Sequence, residues 1–215
     1  MIELGNRDLL VVAGLPGAGK TTMLRHAAGD LRVLDSDQVR GRLRAVLPAA
    51  VPYRLYRPVV HLCHRARIVG CAALRRGPLV VHEPATRAST RRWLAVVARM
   101  TRRPARLLWL DVSAEEALAG QHCRARIVRS RSFARHVARA RLVRERLHAG
   151  RVPPGFLDAR VLTRAVAQYA VLRPVAGGPT TASAPRRLRP APRTDPPRAA
   201  ATSRTARPAA RGTAG

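Results

Sequence analysis

The sequence predicts an α/β protein of three layers, a five-stranded parallel sheet with helices on both faces. Short apolar runs rich in β-branched residues alternate with longer arginine-rich stretches that suit helices, the pattern of a sheet wrapped by its own crossovers. The first apolar run feeds a glycine-rich turn, Gly14-Leu15-Pro16-Gly17-Ala18-Gly19-Lys20-Thr21, in strand–turn–helix order. A chain of 215 residues, 47% of them apolar, can bury one sizeable core and carry an appendage, but not two full domains.

Strands are expected at Leu9–Ala13, Arg32–Leu34, Leu79–His82, Leu107–Leu110 and Arg160–Leu162. Helices are expected at Gly19–Ala28, Asp37–Leu47, Pro58–Arg75, Ser89–Thr101, Ala114–Arg124 and Phe133–Leu147, with a short one at Thr163–Tyr169. Ser113 followed by Glu116 has the spacing of a capping box and marks the start of the fifth of these. From Pro174 the chain turns to Gly, Pro, Ala, Thr, Ser and Arg, with eight arginines against the single acid Asp195. Such a segment cannot bury enough apolar surface to offset its ordering entropy. The folded domain is therefore expected over residues 1–173, and residues 174–215 as a disordered Arg/Pro/Ala-rich basic tail.

The turn after the first strand is the strongest chemical signal. Gly-x4-Gly-Lys-Thr lets backbone N–H groups point inward and cradle phosphate oxygens, while the following helix adds the positive end of its dipole. Gly14, Leu15, Pro16, Gly17, Ala18, Gly19, Lys20, Thr21 and Thr22 thus form a candidate triphosphate site for ATP. Lys20 would reach the β- and γ-phosphates, and the Thr21 hydroxyl would bind magnesium.

The net charge of +29 suits a nucleic-acid or anionic partner. Lys20, however, is the only lysine among 41 basic residues, and arginine runs beside alanine and proline throughout, as compositional drift would also produce. Cys63, Cys71 and Cys123 lack the close pairing of zinc sites and are expected to be reduced and buried. Met1–Asn6 has no basic leader and Leu9–Ala13 is too short for a bilayer, so a cytoplasmic protein without membrane contact is expected. His61 and His64 share a predicted helix with two of the cysteines, and core packing or surface exposure explains them better than metal binding.

At the end of the second strand stands Asp35-Ser36-Asp37-Gln38-Val39-Arg40, where open α/β sheets place their ligands. A carboxylate here could orient a hydroxyl, and an arginine fork suits an anion; either aspartate would equally cap the following helix. A phosphate loop followed by a strand ending in Asp-x-Asp-x-x-Arg resembles the small P-loop kinases, such as polynucleotide kinase, zeta toxin and chloramphenicol phosphotransferase, usually grouped as AAA-domain ATP-binding proteins. The resemblance implies a nucleoside-kinase arrangement of the P-loop sheet, ATP with magnesium as cofactors, and transfer of phosphate to a hydroxyl. It assigns Asp37 as the base and Arg40 as a substrate or phosphate ligand, with Asp35 beside them toward the substrate.

Glu83, after the apolar run Leu79–His82, looks like the acid of a degenerate Walker B strand and is a second candidate magnesium ligand, the alternative being a strand-end carboxylate paired with a nearby arginine. By the same resemblance Thr86 and Arg87 would touch the acceptor. The stretch from Ala117 to Arg144 holds eight arginines and no acid, and looks like the lid of small-molecule kinases. Arg124 and Arg126 are its expected catalytic residues, stabilising charge on the transferring group, while most of the others fit a solvated basic helix. Phe133, Arg135 and His136 match a recurring Phe-x-Arg-His pattern near that lid, without a derivable role. The acceptor stays open between a small molecule and a polynucleotide end. Two other classes also stay open: an ATPase or ATP-gated switch without an acceptor, and a nucleic-acid-binding module acting through the basic surface and tail.

Overall fold

The computed structural model describes residues 1–123 and 130–175. In chain order its elements are β1 (Ile2–Leu4), β2 (Leu9–Gly14), α1 (Lys20–Ala27), β3 (Arg32–Asp35), α2 (Ser36–Val46), α3 (Tyr53–Leu74) and β4 (Leu79–His82). There follow α4 (Ala88–Met100), β5 (Ala105–Asp111), α5 (Ala114–His122), α6 (Ser130–His148), β6 (Asp158–Thr163), α7 (Arg164–Ala167) and β7 (Leu172–Pro174). The main sheet has the order β3-β4-β2-β5-β6 with every pair parallel, the five-stranded sheet expected from the sequence.

β2 sits at its centre and all six of its residues are buried. Only a strand covered on both faces can be apolar at every position, which is why Leu9–Ala13 reads as a continuous run rather than an alternation. β4 and β5 flank it with Val80, Val81, Leu107, Leu108 and Trp109 in the same core. The edge strands β3 and β6 are only partly buried.

A second sheet of two strands escaped the sequence reading. β1 pairs in parallel with β7, Ile2 opposite Leu172 and Leu4 opposite Pro174, and Val175 N–H donates to Leu4 O at 2.8 Å. Three-residue strands are too short to show a period. β7 thus ends one residue beyond the expected boundary at 173, while Arg124, Arg126 and the tail from residue 176 lie outside the described residues. The cysteines correct an expectation: all three are free, but Cys63 and Cys123 are exposed and Cys71 is half-buried. The inward face of α3 is set by Tyr56, Val60, His64, Ile68 and Ala72, and Cys63 lies off that stripe. Among the described residues, no helix is long and apolar enough to cross a membrane.

Two guanidiniums, that of Arg103 buried and that of Arg106 half-buried, hold the edge of the sheet opposite the phosphate loop. Arg106 on β5 lies 2.7 Å from Asp8 just before β2 and 2.6 Å from Asp158 at the start of β6, tying three neighbouring strands. Burial pushes the Asp8 carboxyl up, while the N–H of Gly5, at 2.8 Å, and the Arg106 charge pull it back. Arg103, 3% exposed, donates to the carbonyls of Ala72 at 2.8 Å, Gly77 at 2.9 Å and Arg7 at 3.2 Å, and also to that of Arg75. It thereby serves the orphan carbonyls at the end of α3 and two adjoining loops at once, a task that needs the five donors of a guanidinium. Arg103→Ala would leave these carbonyls stranded. It should lower unfolding stability by about 3 kcal/mol or more, and Arg103→Lys should restore only part of the loss. Urea unfolding of the three proteins checks this.

Candidate active site

The phosphate loop leaves the central strand at Gly14. Gly14, Gly17 and Gly19 have φ of 139°, 93° and 96°, in the region that side chains avoid. Space is equally limiting. A Cβ on Gly14 would stand 2.6 Å from Leu110 O, and one on Gly17 would stand 2.0 Å from Ala117 O. α5 packs this closely because it presents Ala117 and Gly120, and a Cβ on Gly120 would meet Gly17 O at 2.3 Å. The capping box forms as expected: Ser113 Oγ accepts from Glu116 N–H at 3.1 Å, and Glu116 Oε2 from Ser113 N–H at 2.8 Å. The loop's outer carbonyls are taken up, Pro16 O by Gln121 at 3.1 Å and Gly17 O by Arg164 at 3.3 Å.

No side chain caps α1, which opens at Gly19, so its first turn keeps its dipole end for an anion. Lys20 is buried, and its Nζ donates to Gly14 O at 3.0 Å and Leu15 O at 2.8 Å. Thr21 is partly buried and Thr22 exposed on the same turn.

The two aspartates after β3 separate cleanly. Asp35 is the cap of α2: its Oδ1 accepts from Asp37 N–H at 2.9 Å, and its Oδ2 lies 2.6 Å from His82 Nδ1 on β4, directly across the ladder. Burial alone would raise its carboxyl, but the hydrogen bond and charge of His82 and the Asp37 N–H outweigh this and hold it below the usual 3.8. Asp37 is exposed in the first turn of α2. Arg40, one turn on, stacks its guanidinium 4.4 Å from the centre of the Tyr53 ring. Asp37, Arg40, Gly41 and Arg44 line an open recess of about 370 Å³.

Glu83 follows β4, and its N–H donates to Val12 O at 3.3 Å while Gly14 N–H donates to Pro84 O at 3.1 Å. The β2–β4 pairing therefore runs on past the strand ends and sets Glu83 beside the phosphate loop. Its Oε1 lies 3.2 Å from Nε2 of the fully buried His64, a close contact without hydrogen-bond alignment. His64 is thus a core residue, as expected, with an acid partner that the sequence did not show.

The segment after Glu83 is strained and braced. Ala85 has φ of 47°, and the buried Arg91 donates to Ala85 O at 2.7 Å and Thr86 O at 3.0 Å. Thr86 is buried with its hydroxyl 2.9 Å from His136 Nδ1 on α6, and Arg87 is exposed. On α6, Arg131, Arg135, Arg141 and Arg144 are solvent-exposed, as most of that stretch was expected to be. The structure therefore brings Lys20, Thr21, Glu83, Thr86 and the Asp35–Asp37 pair to one edge of the sheet. It adds His82, Arg91, His64 and His136, whose partners depend on strand register and helix docking. Only His136 had a local sequence signal, the Phe-x-Arg-His pattern.

Because Asp35 ionises more readily when folded, its charged form contributes stability above its unfolded value of 3.8 that is lost as pH falls through the lower folded value. The stability difference between the protein and Asp35→Asn should therefore be full at neutral pH and shrink as the pH falls below 3.8. Thermal unfolding across pH checks it; a difference unchanged down to pH about 2 would show that the carboxylate charge is immaterial.

A family profile described as AAA domain matches residues 9–147, well over half of the chain. A search of curated proteins found no match. Among solved structures, a chain of the PezAT chromosomal toxin–antitoxin system of Streptococcus pneumoniae aligns with a TM-score of 0.55 at 13% identity, over 76% of this chain and 70% of that one. A candidate kinase from Chloroflexus aurantiacus aligns with a TM-score of 0.53 at 15% identity, over 76% of this chain and 93% of its own. The shikimate kinase from Acinetobacter baumannii gives 0.49 at 16% identity, over 75% and 89%. At these identities the first two likenesses speak for the fold alone, the α/β fold with a five-stranded parallel sheet already described. With the phosphate loop, the parallel sheet and the profile match all on one stretch of chain, this protein belongs to the AAA domain family.

Proposed function

We propose that the chain is an ATP-dependent phosphotransferase that moves the γ-phosphoryl group to a hydroxyl of a small molecule or a polynucleotide end. The observation that carries this is the division of labour between the two aspartates. Asp35 is committed to the cap and to His82, whereas Asp37 stands exposed on α2 beside Arg40, on the β4 side of the phosphate loop. A switch that only senses ATP has no need of a carboxylate and a guanidinium around an open recess on the helix that follows β3.

In this reading Lys20 and the backbone N–H groups of Gly17, Gly19, Lys20 and Thr21 bind the phosphates, and their fixed geometry replaces water with dipoles that need no reorganisation. The acids present also suit a magnesium ion. Magnesium takes most of its ligands from phosphate and water, so few protein side chains are needed to hold it. Thr21 and Glu83 would hold it, and its charge would offset that building on the phosphates. Asp37 accepts the proton of the acceptor hydroxyl, and Arg40 and Arg87 hold anionic groups of the acceptor. Arg124 and Arg126, between α5 and α6, supply charge to the transition state.

Lys20→Ala should abolish ATP binding or turnover, measured by calorimetry and phosphate release. Asp37→Asn keeps size and capping ability, so fold and ATP affinity should survive while transfer to acceptors falls by roughly 10²–10⁴. A screen of γ-phosphate transfer over hydroxyl-bearing acceptors supplies the assay. Acceptor-independent hydrolysis, unchanged in Asp37→Asn, would instead identify an ATPase or ATP-gated switch.

A further inference from the structure

The helix α6 touches the site at two places. Toward its C-terminal end, Arg144 Nε and His148 Nε2 each lie 3.1 Å from Asp111 Oδ2, at the end of β5. Two turns earlier, His136 Nδ1 meets Thr86 Oγ1 at 2.9 Å, just past the end of β4. β4 and β5 are the two neighbours of β2. The eight residues from His136 to Arg144 rise about 12 Å, comparable with the roughly 9.5 Å from β4 to β5. α6 therefore bridges the strands on either side of the one that carries the phosphate loop.

The anchor under His136 is rigid. Thr86 is buried, and its carbonyl and that of Ala85 are gripped by the buried Arg91. The ring itself is half-buried in a wholly cationic setting. Burial first, then the charges of Arg139, Arg87, Lys20 and Arg135, hold its pKa below the ordinary histidine value, and no carboxylate is among the groups acting on it. These cations come from α6, from the turn after β4 and from α1. Such a neutral imidazole has one N–H to give. With Nδ1 engaged by Thr86, Nε2 has no hydrogen-bond partner among the described residues. A ligand drawn into four positive charges is an anion, and it selects the tautomer in which the Thr86 hydroxyl donates to Nδ1 and Nε2 carries the proton.

We propose that His136 is a phosphate-contacting residue that, anchored by Thr86, closes the site from α6 and donates its Nε2–H to the terminal phosphate of a bound nucleoside triphosphate. This rests on the nucleotide-site reading above. The terminal phosphate is the group in question because it must lie on the Asp37 side of Lys20 for transfer, and Thr86 belongs to that side.

Full-length protein is titrated by calorimetry with the magnesium complexes of ADP and of the β,γ-imido analogue of ATP. His136→Ala should weaken the analogue by roughly 10- to 100-fold, the worth of a hydrogen bond to a charged group, and ADP by less than about twofold. His136→Gln, whose amide N–H can stand where Nε2–H stood, should recover most of the loss. His136→Asn, which can replace only the Nδ1 contact with Thr86, should not. Equal weakening of both nucleotides, no weakening of either, or rescue by Asn instead of Gln would overturn the proposal and leave the ring a structural link to Thr86. If the unmutated protein binds neither nucleotide, or Lys20→Ala binds both as well as it does, the nucleotide site itself is refuted and this inference with it.

Discussion

The C-terminal edge of the sheet is arranged around a loop that has no room for a side chain at Gly14 or Gly17. Gly17 lies so near α5 that a single Cβ would collide with Ala117 O, and Gly120 lies so near Gly17 that the reverse is also true. This backbone-on-backbone packing fixes where α5 starts, and the capping box at Ser113 sets its first turn accordingly. It also requires the loop to spring from the most constrained strand available. β2 is buried along its whole length and hydrogen-bonded on both sides, so the loop inherits a rigid origin. Preorganisation of this kind lets backbone dipoles act on phosphate without rearrangement.

Arginine does several different jobs here, and composition hides them. Arg103 serves four carbonyls, Arg91 braces a strained turn, and Arg106 joins three strands through two carboxylates. Arg103 and Arg106 use two or more nitrogens of the planar fork, a spread that the single nitrogen of an ammonium lacks, whereas Arg91 makes both of its bonds from one terminal nitrogen. Lys20 has the opposite requirement: a compact charge that fits against the loop carbonyls within a few ångströms of its own helix. The single lysine among so many arginines is thus placed where the substitution would be least tolerated.

What the sequence made legible follows from period and from local spacing. The central strands stood out because burial on both faces makes them uniformly apolar, and the phosphate loop and the capping box are contiguous motifs. Helix ends were read to within a few residues for the same reason, α3 being the main exception, its start at Tyr53 masked by Pro58. What stayed hidden depends on alignment between distant segments. Asp35 finds His82 only because β3 and β4 pair in that register, and Thr86 finds His136 only once α6 has docked. His64 meets Glu83 across a helix–strand contact that no spacing rule anticipates. The exposed cysteines show the converse error, a residue type usually buried being placed by the turn of its helix rather than by its chemistry.

The pairing of β1 with β7 has a bearing on how the domain reaches its native state. Leu4 is fully buried, yet the strand beside it lies at the far end of the described chain, around Leu172. This is a contact of nearly maximal sequence separation, and closing it gains nothing until almost all the intervening chain has been made. During synthesis β1 can complete its backbone pairing only once β7 has been made, after the last strand of the five-stranded sheet. The nucleotide-binding core can therefore form before the molecule is sealed, with the short two-stranded sheet acting as the final clasp.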